Sequence, residues 1–308
     1  MSLFDRRILL VTGKGGVGKS TVSAALGLEA AAQGKRTLIV EVSGCKRMEE
    51  IFNIRDESYE PRVVGPRLSV LSITPEEAIQ DYVVQVIRFK KLYKLAFQNR
   101  VMGPFIEAVP GLHDAIQLGK VFDLERESGT FGGKTWDLII VDAPATGHGL
   151  TMLAAPRSMM ELTRAGPLYD GVKRVHDVID DPTVTGIVLV SIPEDMPINE
   201  TLELYHRLGP TRAQVRLAVL NELFPSPAAA PADWEAWRKG RAAAPHSPEA
   251  EAQDLGDRWF SRIQRQDRCR ARLRQLPVPQ ADLPFRFHRG LSTAELGEMG
   301  RALSLAVP

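Results

Sequence analysis

Short apolar runs recur along the chain and alternate with longer stretches of helical composition. Residues 7–12 (RILLVT) form the first run, and after a glycine cluster the Ala-rich residues 20–33 read as a helix. A strand–helix–strand unit of this length, completed by 37–42, needs a right-handed crossover and joins parallel strands. Further strands are predicted at 68–73, 136–141, 184–192 and 215–221. The pattern predicts an α/β fold with a doubly wound, mainly parallel sheet.

Three segments depart from this rhythm. Residues 75–127 form a long helical insertion, and residues 152–180 form a second one that carries Met159 and Met160. Residues 225–248 are rich in Pro and Ala, which indicates a surface loop. We therefore predict a single domain over 1–308 with helical insertions, which either form a client-binding subdomain or pack against the core.

Composition and charge exclude several classes of protein. The chain has 39 Lys+Arg against 38 Asp+Glu, a net charge of +1, so it has no overall attraction to nucleic acid or anionic membrane. Its two cysteines, Cys45 and Cys269, cannot supply a disulfide framework or four zinc ligands. No apolar run approaches the roughly 20 residues of a membrane span, and the first residues do not form a signal-peptide pattern. We expect a cytoplasmic protein.

A phosphate-binding loop is predicted between the first strand and the first helix. Residues 13–20 (GKGGVGKS) fit G-x-x-x-x-G-K-[ST] in that context. Glycines let the backbone fold into a nest of N–H groups, and the helix N-terminus adds partial positive charge. The lysine of the pattern reaches phosphates and its serine reaches Mg²⁺. The predicted ligands are ATP and Mg²⁺, held by Gly13, Lys14, Gly15, Gly16, Val17, Gly18, Lys19, Ser20 and Thr21.

The apolar strand at 136–141 ends in Asp142. An aspartate at this place holds the water shell of Mg²⁺ in phosphate-loop proteins. The loop and the acidic strand end together indicate a P-loop NTPase, with Ser20 and Asp142 as the Mg²⁺ residues.

Lys14 is not required by an ordinary phosphate loop. The string KGGVGKST resembles the deviant Walker A loop of the nucleotide-sandwich ATPases, in which the extra lysine reaches the phosphates held by the other subunit. The resemblance implies a dimer that completes its site when two subunits face each other, as an arginine finger does. A solvated loop lysine is the alternative.

The residues after the acidic strand narrow the resemblance. The segment DAPATGHGL at 142–150 resembles the second switch loop, D-T-A-P-T-G-H-T-L, of the ArsA/Get-type ATPases. That branch contains arsenite-pump ATPases and the ATPases that target tail-anchored membrane proteins. The resemblance implies that His148 belongs to a γ-phosphate sensor, the alternative being a plain loop histidine. Residues 219–223 (VLNEL) are similar to the family's V-V-N-Q strand end, which implies that Asn221 contacts adenine.

The chain departs from this family at two places. Where the family has a switch-I aspartate that activates water, this chain has Ser43, which cannot act as a carboxylate base. Glu41, two residues upstream, either works through water or Mg²⁺ or tethers the strand. The zinc-binding C-x-x-C pair of the eukaryotic targeting ATPases is missing, so no zinc is expected, and two separated cysteines do not make a metalloid site.

A late segment is rich in arginine, from Arg258 to Arg274. An apolar stripe at helical spacing gives this segment a face to bury, at Leu255, Trp259, Ile263, Leu273 and Leu276. The stripe favours a structural helix with a solvated basic face, and binding of an anionic partner is the alternative. No nucleic acid is expected as a partner.

The leading hypothesis is a Mg²⁺-dependent ATP hydrolase of the ArsA/Get type, with catalytic residues Lys14, Lys19, Glu41, Asp142 and His148. It would work as a homodimer or as a heterodimer with a paralogue, coupled to a hydrophobic client helix or a membrane pump subunit. One alternative is a nucleotide-gated dimeric binding protein with little hydrolysis, because Ser43 replaces the aspartate. Another is a partitioning-type ATPase, which shares Lys14 but not the T-G-H segment.

Overall fold

A computed structural model of the chain describes residues 2–42, 46–54, 59–74, 76–81, 112–127, 133–144, 146–163, 165–226, 231–239, 246–287 and 290–307. In these ranges one sheet of eight strands forms the centre of the protein. The strands are β1 (Ile8–Gly13), β2 (Thr37–Glu41), β3 (Arg62–Gly65), β4 (Leu68–Ser72), β5 (Leu138–Asp142), β6 (Thr185–Ser191), β7 (Val215–Leu223) and β8 (Gln280–Pro284).

The order of the strands is β3-β4-β2-β5-β1-β6-β7-β8. All neighbouring strands run parallel except β3 and β4, which are antiparallel. Every residue of β1, β2, β5 and β6 is buried, as expected for parallel strands covered on both faces. The chain leaves β1 toward β2 on one side, and β6 lies on the other side. This reversal opens a crevice at the carboxyl ends of the strands, where ligands of doubly wound folds bind.

Helices cover both faces of the sheet. They are α1 (Lys19–Ala32), α2 (Arg47–Phe52), α3 (Leu112–Arg126), α4 (Thr146–Thr163), α5 (Pro167–Asp180), α6 (Asp195–Arg207), α7 (Pro231–Lys239), α8 (Pro248–Leu273) and α9 (Thr293–Leu305). One apolar core lies between the sheet and α3 to α6 with the end of α8, and a second lies between the sheet and α1 with α9. The predicted α/β fold with a doubly wound, mainly parallel sheet is confirmed. In the part of the chain that the structure describes, no helix combines the length and the hydropathy needed to cross a bilayer.

The described parts of the two helical insertions pack against the first core. Met152 and Met159 of α4 are buried there, and α3 contributes Ile116 and Phe122. Residues 82–111, which carry most of the apolar positions that could face a client, lie outside the described residues. Met152 and Met159 of the second insertion therefore serve the core. A client-binding subdomain in the insertions stays a prediction.

The segment 225–248, predicted as a surface loop, contains helix α7. This helix is held by Trp234, whose ring stacks on Phe260 at 5.4 Å between centroids. The indole Nε1 of Trp234 donates to Asp257 Oδ1 at 2.9 Å. Composition alone missed this helix because the contacts that hold it are tertiary ones with α8.

Helix α8 has the predicted buried stripe, but its members differ. Leu255, expected in the stripe, is 67% exposed. The buried residues are Phe260, Ile263, Gln266, Cys269 and Leu273. The stripe therefore begins later in the helix than predicted. Cys269 is a buried free thiol whose pKa is raised by burial, so it is part of the packing.

Candidate nucleotide-binding site

The site lies where three neighbouring strands end. In the register of the sheet, Asp142 of β5 is paired with Val11 of β1 on one side and with Glu41 of β2 on the other. The loop that follows β1 leads directly into α1, whose first turn begins at Lys19. The first N–H groups of a helix have no partners within the helix, so the start of α1 presents donors to an anion at this edge.

The loop between β1 and α1 has the shape that its glycines allow. Gly18 has φ of +87°, in the left-handed region, and a Cβ there would lie 2.3 Å from Asn221 Nδ2. The side chain of Asn221 donates from Nδ2 to the carbonyl oxygen of Val17 at 3.0 Å. Val17 itself is fully buried. Asn221 thus braces the loop from the end of β7, and its contact with adenine stays a prediction.

The two lysines of the loop both form contacts within the subunit. Lys19 Nζ donates to the carbonyl oxygen of Lys14 at 3.1 Å, so this side chain folds back over the loop. Lys14 Nζ forms an ion pair with Glu200 of α6 in the same subunit. Both members of that pair are about one-third exposed, 30% and 32%. Lys14 is therefore held at the surface of the site, on the side of α6.

Asp142 joins the loop helix to the sheet. Its carboxylate accepts from Ser20 Oγ at 2.6 Å and from Ser23 Oγ at 3.2 Å. Burial raises the pKa of Asp142 to about 6, with a further increase from the nearby carboxylate of Glu41, while Ser20 and Lys19 oppose the rise. The site therefore holds a buried carboxyl group that is ready to accept a compensating cation.

Glu41 is fully buried and points toward α2. Its carboxylate accepts from the backbone N–H of Arg47 at 2.8 Å and of Met48 at 3.4 Å, the first residues of α2. Of the two roles left open for this residue, these contacts are those of a tether. They fix the chain on the far side of the switch-I segment, and a catalytic part for Glu41 stays a prediction.

Some predicted site residues cannot be placed. Residues 43–45, including Ser43 and Cys45, lie outside the described part of the chain. His148 belongs to the first turn of α4 by its backbone, but its side chain is not among those described. The structure therefore brings together Lys14, Lys19, Ser20, Glu41, Asp142 and Asn221.

Two residues of the site were missed by sequence reasoning. Ser23 lies one helical turn after Ser20, so a prediction that Ser20 meets Asp142 could also have placed Ser23 beside it. Glu200 has no such local signal, since it is 186 residues away from Lys14. Only the placement of β6 beside β1 brings α6 to the loop.

The donor set suits a hard cation bound together with phosphate. Among the described side chains, no group of three or more His, Cys, Asp or Glu residues is arranged to hold a metal ion by itself. Mg²⁺ needs no such cage, because it usually takes one or two protein oxygens and completes its shell with water and substrate phosphates. Ser20 and Asp142 offer hard oxygen ligands of this kind beside the loop.

Comparison of the sequence with known proteins identifies a matching family and several relatives. The model of the family described as "Anion-transporting ATPase" matches residues 6–166 and 161–244. ATPase BagA of Mycobacterium tuberculosis is 30% identical over 231 residues, covering 71% of this chain and 66% of that protein. The ATPase ASNA1 homolog of Entamoeba dispar is 26% identical over 255 residues, covering 70% of this chain and 76% of the homolog.

A further relative is longer. The arsenical pump-driving ATPase of Acidiphilium multivorum is 24% identical over 238 residues, which cover 70% of this chain but 39% of that protein. The match to BagA spans 66% of the relative's own length. The matched region contains the phosphate loop and Asp142 in the family model.

Proposed function

Since the chain belongs to the family of anion-transporting ATPases, we propose that it is a Mg²⁺-dependent ATP hydrolase. The observation that carries the proposal is the hydrogen bond between Ser20 and the buried carboxylate of Asp142, beside a loop with Lys19. Phosphoryl transfer requires a phosphate loop together with a hydroxyl and a carboxylate that can hold Mg²⁺. Here the hydroxyl and the carboxylate are in direct contact.

The loop residues bind the phosphates. In the free protein Lys19 Nζ donates to the carbonyl of Lys14. A phosphate oxygen is a stronger acceptor for an ammonium group than a neutral carbonyl. Nucleotide binding therefore moves the Lys19 ammonium from Lys14 to the phosphates, while the N–H groups at the start of α1 donate to the same oxygens.

Ser20 and Asp142 would hold Mg²⁺. When bound, the ion would neutralise charge that develops on the β- and γ-phosphates. Asp142 suits this task because its buried carboxylate is poorly compensated, as its raised pKa indicates. Ser23 and Ser20 fix the orientation of that carboxylate.

The finer part of the proposal is a dimer in which Lys14 serves the opposite subunit. It rests on the second lysine of the loop and on the partial exposure of that side chain beside Glu200. Two facing copies, or this chain and a paralogue, would each supply a lysine to the partner's phosphates. We propose that the ATPase cycle is coupled either to a hydrophobic client helix or to a membrane pump subunit.

A second function deserves a test because of Glu41. Both carboxylate oxygens of Glu41 accept hydrogen bonds from backbone N–H groups of α2. In the sequence, Ser43 occupies the position of the family's switch-I aspartate. A site without a free base binds and closes on ATP but hydrolyses it slowly. The protein would then be a nucleotide-gated binding protein.

Phosphate release from Mg²⁺-ATP by the purified chain separates the two functions. The hydrolase should release phosphate continuously, and Lys19→Ala should lower the rate by at least about a hundredfold. Lys35→Ala, beyond the far end of α1, is the matched control and should keep the rate. If the unaltered chain binds Mg²⁺-ATP but releases no phosphate, the result assigns the gated binding function. If the unaltered chain does not bind the nucleotide, the result contradicts both functions.

A further inference from the structure

Two arginines meet at the edge of the sheet opposite to the phosphate loop. Arg6 precedes β1, and Arg216 is the second residue of β7. Strand β6 lies between β1 and β7 and contributes Gly186. A Cβ at Gly186 would lie 3.2 Å from Arg216 Cγ and 3.4 Å from Arg6 Cγ. Leu9 Cδ2 would be nearer still, at 2.8 Å. Both arginine side chains therefore pass over Gly186, in space that a Cβ would otherwise occupy.

The guanidinium groups have unmet donors. Arg6 is only 5% exposed. Its Nε and Nη1 are buried and have no hydrogen-bond partner in the described ranges of the chain, and the same is true of Nε of Arg216. Arg216 Nη2 donates to the carbonyl oxygen of Pro182 at 3.1 Å. Buried polar groups are almost always paired, and a buried charge without a counter-charge is costly.

Asp181 interacts electrostatically with Arg6, but its carboxylate is already bonded elsewhere. It accepts from Thr183 N at 2.8 Å and from Thr183 Oγ1 at 2.6 Å. These bonds are the main reason that the pKa of Asp181 is lowered, and Arg6 contributes least. The pKa of Arg216 is lowered by burial and then by the like charge of Arg6. Two positive groups thus stand together, and no described acidic residue forms an ion pair with their unmet N–H groups.

From this geometry we infer that Arg6 and Arg216 form a binding site for a small inorganic oxyanion such as phosphate or sulfate. Guanidinium groups donate in a fork that matches the oxygens of such anions. An anion between the two groups would satisfy their open donors and remove the repulsion between them. The site is independent of the nucleotide site, because it lies before β1 whereas the phosphate loop follows it.

The test must exclude phosphate bound at the nucleotide loop. We would therefore measure binding by the full chain carrying Lys19→Ala, using calorimetry and thermal unfolding, with phosphate, sulfate or acetate against chloride at equal ionic strength. In this background Arg6→Met and Arg216→Met remove the two guanidinium groups. Arg212→Met, at an exposed position of the 3-10 helix before β7, removes the same charge elsewhere and is the control.

Phosphate and sulfate should raise the melting temperature of the Lys19→Ala protein and of its Arg212→Met derivative. Each of the other two substitutions should weaken oxyanion binding by at least about tenfold, because each removes charged hydrogen bonds. In chloride, Arg6→Met should melt no lower than its parent, since it removes an unpaired buried charge. If that variant fails to fold, Arg216→Met decides the result, because Arg216 is only partly buried.

Three results would overturn the inference. The first is an unchanged response to phosphate in both Arg6→Met and Arg216→Met. The second is a response in the unaltered chain that disappears with Lys19→Ala, which would assign it to the nucleotide loop. The third is a response to acetate alone, which would indicate a site for a carboxylate instead of an inorganic oxyanion.

Discussion

At the scale of single residues, folding raises the pKa of Asp142 to about 6. Its carboxyl group lies among apolar strands, and Glu41 adds a second negative charge on the neighbouring strand. The hydroxyls of Ser20 and Ser23 stabilise the ionised form only in part. The free protein therefore carries a carboxylate whose ionisation weakens the fold, and a bound cation would relieve that cost.

This cost predicts a pH dependence of stability. The pKa of Asp142 is about 6 in the folded protein and 3.8 ordinarily, so the folded state binds more protons between these values. The free energy of unfolding contributed by Asp142 should therefore be largest below pH 3.8 and decrease as the pH rises to about 6, by at most about 3 kcal/mol. Urea unfolding of the unaltered chain and of Asp142→Asn across this range measures the difference. Parallel pH curves for the two proteins would contradict the prediction.

The same residue shows what sequence can and cannot predict at this scale. Lys19, Ser20 and Asp142 were predicted to lie together because each belongs to a local pattern, the loop between β1 and α1 or the acidic end of β5. Glu200 was not, since its contact with Lys14 depends on how α6 is placed by the strand order. The brace between Asn221 and Val17 was not predicted either, because the resemblance pointed to adenine and not to the loop backbone.

At the scale of elements, α1 and α9 pack closely at a glycine. A Cβ on Gly300 of α9 would lie 2.1 Å from the carbonyl oxygen of Ala25 in α1, a backbone atom that cannot easily move. A Cβ on Gly297, one turn earlier in α9, would meet no atom of the described residues within 4 Å, apart from the backbone of its own helix. Both glycines thus lie in the same helix, but only Gly297 has room for a methyl group.

The two glycines predict opposite effects on stability. Gly300→Ala should lower the free energy of unfolding by roughly 1–2 kcal/mol, because overpacking exceeds the gain in helix propensity. Gly297→Ala should raise it by up to about 1 kcal/mol through propensity alone. Denaturant unfolding of both variants at one pH gives the comparison. Equal changes of the same sign would show that the helices can move apart without cost.

A second prediction concerns α6 and the loop. Glu200 competes for Lys14 within one subunit, so its removal should free the lysine for the partner. Glu200→Gln should lower the ATP concentration needed for dimer closure by up to about fivefold, the effect expected for a partly exposed ion pair. The control is Glu203→Gln on the same helix, which pairs with Arg207 away from the loop. Light scattering with a slowly hydrolysed ATP analogue measures closure, and equal midpoints for both variants would refute the competition.

The elements also show why prediction from sequence was uneven. The six inner strands were predicted because each is a mainly apolar run that is buried over most of its length. The edge strands β3 and β8 were missed, since they are short and have exposed positions. Helix α7 was missed for a related reason, because its position depends on Trp234 and not on an apolar period of its own.

At the scale of the whole molecule, the proposal requires two chains for one reaction. In a single subunit Lys14 contacts Glu200 and presents its backbone carbonyl to Lys19. A lysine that completes only the opposite site can be removed from one subunit and supplied by the other. The two loop lysines should therefore complement each other in trans.

Mixing Lys14→Ala and Lys19→Ala subunits tests this directly. Each variant alone should be inactive, because the first lacks the incoming charge and the second lacks the phosphate ligand. In a mixed dimer, the Lys14→Ala subunit keeps Lys19 and receives Lys14 from its partner, so one site of two is complete. An equal mixture with random pairing should regain up to about a quarter of the activity per chain. The control mixture, Lys14→Ala with the double variant Lys14→Ala/Lys19→Ala, should stay inactive. No activity in the first mixture would place Lys14 in its own subunit's site, and activity in the control would show that the reaction does not need Lys14.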